Sequence, residues 1–184
     1  GGGGGRDAGG TADIGVRIEA ARRARGLRTL RVRCISYQEE QDMRYRDWVH
    51  SCGETVHRES KGRVGYIHVS EMEKKGFADF TRQYLVECER DAIILDIRGN
   101  TGGFCSPLII DSLSRRPLGV HVPRYGHPTS FPNDLPSNYQ VVVCVVNEET
   151  GSDGEGLAHS LACLQLATIV GTRTWGGVIV TGDS

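Results

Sequence analysis

The sequence predicts an α/β fold, and three observations carry that prediction. Apolar runs of strand length alternate with amphipathic stretches of helix length along most of the chain. One of those runs, AIILDIR, is apolar almost throughout, as in a strand covered on both faces rather than on one. The order helix then strand, occurring four times in succession, implies crossover units and a mainly parallel sheet flanked by helices. With 184 residues the chain has room for one ordinary domain and a little more.

The elements follow in order. Seven of the first ten residues are glycine, so residues 1–12 are expected to be a flexible linker. Residues 14–33 carry seven arginines against one acid, Glu19. No aromatic side chain interleaves them to stack on bases, so a solvated helix face followed by the strand LRTLRVRCIS is expected rather than a nucleic-acid patch. Tyr45, Trp48, Val49, Cys52 and Val56 form the stripe of an amphipathic helix. GYIHV (65–69) is the next strand. Ser70 and Glu73 then stand at capping-box spacing before a helix whose apolar face is Phe77, Phe80, Tyr84, Leu85 and Cys88. AIILDIR (92–98) is followed by a break at N-T-G-G and a helix from Phe104 to Leu113. Prolines 117, 123, 128, 132 and 136 make residues 117–138 a long surface loop by expectation. QVVVCVVN (140–147), a helix with Leu157, Ala158, Leu161, Ala162 and Leu164, and ATIVGTR (167–173) complete the series.

Composition narrows the class. The hydrophobic share is 38% and the charged share 24%, with 22 basic and 23 acidic residues for a formal charge of −1. That near-neutral balance argues against a protein dominated by nucleic-acid binding. No window approaches 18 apolar residues, so no membrane span is expected, and the N-terminus lacks the order of a secretory signal. Cys34, Cys52, Cys88, Cys105, Cys144 and Cys163 are scattered, without C-x-x-C or zinc spacing. They are expected to be reduced and buried in a cytoplasmic chain, with no metal and no cofactor.

In open parallel sheets, sites collect at the carboxyl ends of strands, and two ends here are unusual. AIILDIR runs into Gly99-Asn100-Thr101-Gly102-Gly103, and QVVVCVVN runs into Glu148-Glu149-Thr150-Gly151-Ser152-Asp153-Gly154. A serine between glycines at a strand-to-helix turn can present its hydroxyl like a nucleophile elbow, with the next N–H facing the same space. The helix N-terminus adds partial positive charge for a developing oxyanion. Taken alone, a serine in G-S-D-G is more often just a helix N-cap with a turn glycine. A phosphate loop is disfavoured, because G-x-G-x-x-G and G-K-S/T spacings are missing.

Four segments go further: YRDWVHSCGETVHRESKGRVGYIHV, AIILDIRGNTGG, VVNEETGSDGEG and GTRTWGG. In order and spacing they resemble the tail-specific protease family, its tricorn-like branch more than the carboxyl-terminal processing peptidases, over residues 40–180. The resemblance implies a crotonase/ClpP-like α/β core, residues 39–184, as a partial protease domain. It makes residues 13–38 the end of a PDZ-like module. By the same resemblance Ser152 is the nucleophile of a serine peptidase, and the N–H groups of Gly103 and Asp153 form its oxyanion hole. Gly102 and His121 fall at substrate-binding positions, His121 where an acidic residue would favour basic side chains. Substrates would be peptides or unfolded proteins, and tricorn-like relatives assemble into homo-oligomeric rings.

A serine also needs a base. Processing peptidases place a lysine where this chain has Gly177, and Lys61, Lys74 and Lys75 all precede Ser152. Tricorn-like members use a histidine upstream of the PDZ module and a glutamate well after the nucleophile, so both are expected outside residues 1–184. His159 is two helical turns from Ser152 (about 10 Å), too far for a direct bond. His68 is expected to be packed in its strand, His50 and His57 at the surface of the first helix, and His121 and His127 in the loop. The residues alone leave open a non-catalytic peptide- or ligand-binding scaffold on the same fold. A crotonase-type acyl-CoA enzyme is disfavoured, since that chemistry has no need of G-S-D-G.

Overall fold

The computed structural model describes residues 13–18, 28–116, 118–131 and 141–179, and the chain divides into two compact units, Gly1–Trp48 and Val49–Ser184. In the first, β1 (Asp13–Ile18) pairs antiparallel with β2 (Arg28–Arg33). Residues 13–18 are thus a strand where a helix face was expected. The reason is a period of two: Ile14, Val16 and Ile18 alternate, and the register sets Ile14 opposite Val32 and Val16 opposite Leu30. The glycine-rich linker expected over residues 1–12 lies outside the described residues. Helix α1 (Tyr37–Glu59) opens on a reciprocal cap. The Ser36 N–H donates to Glu39 Oε2 at 2.7 Å, and the Glu39 N–H donates to Ser36 Oγ at 3.2 Å.

The second unit is built on a four-stranded parallel sheet. Its strands are β3 (Val64–His68), β4 (Ala92–Asp96), β7 (Val141–Val146) and β8 (Thr168–Gly171), in that spatial order. Helices α2 (Lys74–Glu87), α3 (Ser106–Ser114) and α4 (Asp153–Cys163) make the crossovers. Because the strands run in one spatial direction, right-handed crossovers put all three helices on one face. There Ile67, Ile93, Leu95, Ile97 and Cys144 bury against Phe80, Ile109, Leu157 and Leu161. Each such side chain contributes about 1.5–3 kcal/mol by leaving water.

The other face is mixed. Val141 and Val170 are 62% and 50% exposed, whereas Asp96 is 1% exposed. Asp96 accepts the Tyr66 hydroxyl proton at 2.8 Å and two bonds from Arg98 Nε at 2.9 and 3.1 Å. Burial pushes its carboxyl up, but the bonds from Arg98 and Tyr66 outweigh burial and hold it below the usual range.

Four sequence expectations need correction. Ser70 does not cap α2: the helix starts at Lys74, and its N-cap residue, Glu73, makes no side-chain cap bond. Met72 is held in the sheet extension instead, its N–H donating to Gly102 O at 2.7 Å and its carbonyl accepting the Phe104 and Cys105 N–H groups. Leu85 of that helix is 61% exposed. The proline-rich stretch contains a small antiparallel hairpin, β5 (Gly119–His121) with β6 (Thr129–Phe131), because Pro123 and Pro128 fall in the connection and cost no ladder bond. Of the cysteines, Cys88, Cys105 and Cys144 are buried and Cys52 is half-buried; Cys34 and Cys163 are exposed, and all six are free thiols.

Candidate active site

The two glycine-bearing turns are laced together. Thr150, fully buried, donates from Oγ1 to the Ile97 carbonyl at 2.9 Å. Asn147 Oδ1 accepts the Gly99 N–H at 2.9 Å. The Gly151 N–H donates to the Asn100 carbonyl, also at 2.9 Å. Asn100 is fully buried and spans three segments. Its Nδ2 donates to Val69 O at 2.8 Å, and its Oδ1 accepts the Gly102 N–H at 2.9 Å. A methyl on Gly154 would stand 2.9 Å from that same Oδ1.

This lacing seats Gly102 against the elbow. A methyl on Gly102 would meet Ser152 Cβ at 2.6 Å, Ser152 Oγ at 3.1 Å and the Asp153 nitrogen at 3.2 Å. Ser152 itself, the N-cap of α4, sits at φ 51° and ψ −121°. A side chain in that region costs of order 1–3 kcal/mol, so elbow geometry and N-cap position coincide in one residue.

The surrounding amides can be accounted for one by one. Gly102 N–H goes to Asn100, Gly151 N–H to Asn100, Ser152 N–H to Glu155, Gly154 N–H to Gly151 and Glu155 N–H to Ser152. The N–H groups of Gly103 and Asp153 have no acceptor among the described residues. Buried or half-buried amides are normally satisfied. Two spare donors, on either side of a contact between Gly102 and Ser152, are what a carbonyl oxygen could use. The Asp153 carboxylate points elsewhere, taking the Ser106 N–H at 3.0 Å and the Ser106 hydroxyl at 2.5 Å.

Glu155 is the second carboxylate of the first turn of α4. It is 8% exposed and accepts four bonds: Thr174 Oγ1 at 2.7 Å and Gly176 N at 2.6 Å on Oε1, Gly177 N at 3.0 Å and Ser152 N at 3.1 Å on Oε2. Burial pushes its carboxyl up, but the four donors prevail and hold it below the usual range. A cleft of about 610 Å³ lies against it, lined also by Val146, Ala158, His159, Ile169 and Val178, without Ser152.

The remaining site candidates lie elsewhere. His121 stacks edge-on against Phe131, with ring centroids 5.2 Å apart, and no hydrogen bond among the described residues joins it to Ser152. His159 is exposed, with Nε2 3.5 Å from Cys163 Sγ. His68 is buried and donates to the Arg98 carbonyl at 3.1 Å, and burial lowers its pKa. His57, expected at the surface, is half-buried and bonded to Glu87 at 3.1 Å. No histidine or lysine side chain hydrogen-bonds the Ser152 hydroxyl among the described residues, and no three potential metal ligands converge there. Asn100 and Glu155 were not singled out from the sequence. Glu155 had a signal, since S-D-G-E has capping-box spacing; Asn100 had only its place in the glycine turn.

Known proteins resemble this chain in sequence and in fold. Residues 63–183 match the model of "Peptidase family S41". A tricorn protease homolog of Streptomyces coelicolor is 42% identical over 145 residues, covering 79% of this chain and 13% of its own length. The tricorn protease of Thermoplasma volcanium is 42% identical over 142 residues, covering 77% of this chain and 14% of its own. The crystal structure of the tricorn protease superposes with a TM-score of 0.75 at 35% identity, over 84% of this chain and 15% of that one. The chain thus spans about one seventh of each relative. With a four-stranded parallel core, a strained serine at the strand-to-helix turn and these matches, the chain belongs to peptidase family S41.

Proposed function

We propose that this chain carries the nucleophile and oxyanion half of a serine peptidase that cleaves peptides through an acyl-enzyme. The observation that supports it best is Ser152 in a strained backbone conformation beside two amides, Gly103 and Asp153, with no acceptor among the described residues. In the proposed sequence, Ser152 Oγ attacks the scissile carbonyl as a base takes its proton. The oxyanion sits between the two N–H groups at the α4 N-terminus, and the base returns the proton to the leaving amine. Water then hydrolyses the Ser152 ester by the reverse path. The base is the upstream histidine that the family resemblance implies, with a downstream glutamate to orient it.

Substrates are peptides or unfolded segments, with Gly102 flanking the scissile bond and the hairpin that bears His121 forming part of the pocket. Residues 13–38 close a PDZ-like module, and the parent protein is a cytoplasmic ring. No described helix is long and apolar enough to cross a membrane. A fluorophosphonate probe tests the reading in the longest natural polypeptide that contains these residues. The label should map to Ser152 and vanish in Ser152→Ala; labelling that survives the substitution removes the nucleophile assignment.

A further inference from the structure

Ser152 sits where a residue with a Cβ stays only if its surroundings over-determine the backbone. Its carbonyl is held by ordinary first-turn bonds from Glu155 and Gly156, at 3.0 and 3.1 Å. Its N–H is held differently, by the Glu155 side chain. The same carboxylate gathers Thr174 Oγ1 and the Gly176 and Gly177 N–H groups, so one buried anion joins the elbow to the segment that follows β8. Charge-assisted bonds of this kind are roughly twice as strong as neutral ones. Four on one carboxylate leave it little freedom to rotate.

Resting on the peptidase reading, we infer that Glu155 is a positioning residue of this site: its carboxylate locks the strained Ser152 backbone and couples it to residues 174–177. Two consequences follow. Turning the Ser152 N–H onto Glu155 leaves Asp153 as the elbow's spare donor, which fixes the side from which a carbonyl oxygen is held. Movement of the Thr174–Gly177 segment is felt at the nucleophile through this carboxylate. The coupling acts on the orientation of the attacking oxygen, and so on kcat more than on KM.

The test compares unsubstituted protein, Glu155→Gln and Thr174→Val in the longest natural polypeptide containing these residues. Glu155→Gln keeps the shape but replaces one accepting oxygen by a donor. Thr174→Val removes a single donor and guards against a Glu155 variant that fails to fold. Hydrogen exchange of peptides covering 148–157 and 172–179 should quicken at least tenfold in Glu155→Gln and a few-fold in Thr174→Val, with the β4 peptide unchanged. Fluorophosphonate labelling of Ser152 and kcat on a peptide substrate should fall about ten- to a hundredfold in Glu155→Gln, with KM within a factor of two. Unchanged exchange in both peptides overturns the inference whatever the activity. Faster exchange with an unaltered labelling rate overturns it too, since the clamp then does not set the nucleophile. If the unsubstituted protein shows no Ser152-dependent labelling, the peptidase reading fails, and the exchange arm alone decides whether the clamp exists.

Discussion

After β4 the chain turns on Gly99, Gly102 and Gly103, at φ of 69°, 90° and 144°; after β7 it turns on Ser152, at 51°. The first turn uses glycine, which enters that region at little steric cost. It is braced by a neutral buried amide, Asn100. The second puts a side chain where one is disfavoured and braces it with a carboxylate, Glu155. The difference separates two tasks. On the proposed reading the β4 turn has only to bring a backbone N–H to the site, and a Cβ at Gly102 or Gly103 would clash with Ser152 or Met72. On the same reading the β7 turn has to present a hydroxyl, which gives the strained conformation of Ser152 a purpose.

The largest effect expected from breaking this contrast is at Gly103. A methyl there would lie 2.1 Å from the Met72 carbonyl oxygen, at a φ that suits glycine. Gly103→Ala should cost roughly 3 kcal/mol or more and reduce Ser152 labelling at least a hundredfold, as urea unfolding and probe kinetics would report. Asn100→Ala comes next. It leaves the Gly102 N–H without its acceptor and the Val69 carbonyl without a donor in a buried site, a loss of about 2–4 kcal/mol. Labelling should slow at least tenfold even in protein that remains folded.

Much of the sheet was legible because AIILDIR and VVVCVV are apolar runs of strand length bounded by turn residues, although VVVCVV buries only alternate side chains. The serine elbow was legible because glycines punctuate a strand end. Other features depend on partners that sequence does not reveal. The capping-box spacing of Ser70 and Glu73 is overridden because Met72 is drawn into the sheet by Gly102 and Phe104. The same spacing at Ser36 and Glu39 does form a cap. Asn100 looks like any turn asparagine until Val69 and Gly102 close around it. The hairpin at 119–131 was hidden by prolines that lie between its strands rather than in them.

A smaller effect sharpens the comparison through charge. The Glu155 carboxyl lies below its ordinary 4.5 in the folded protein. Its contribution is therefore complete above about 4.5 and lost as pH falls through the lower native value. Asn100 does not titrate. On acidification, exchange should quicken first in residues 172–179 and only later in residues 99–103; simultaneous loosening would mean the two turns share one brace. The smallest effect concerns strain alone. Ser152→Gly should be more stable than Ser152→Ala by about 1 kcal/mol, because glycine accepts the positive φ. Equal unfolding midpoints for the two variants would remove the strain from the account.

The central claim is tested most directly by mapping the adduct of a fluorophosphonate probe by mass spectrometry in the longest natural polypeptide that contains these residues. The account predicts a single modified residue, Ser152, with no adduct in Ser152→Ala and at least a hundredfold slower labelling in Gly103→Ala. An adduct on another serine, or undiminished labelling of Ser152→Ala, would contradict it.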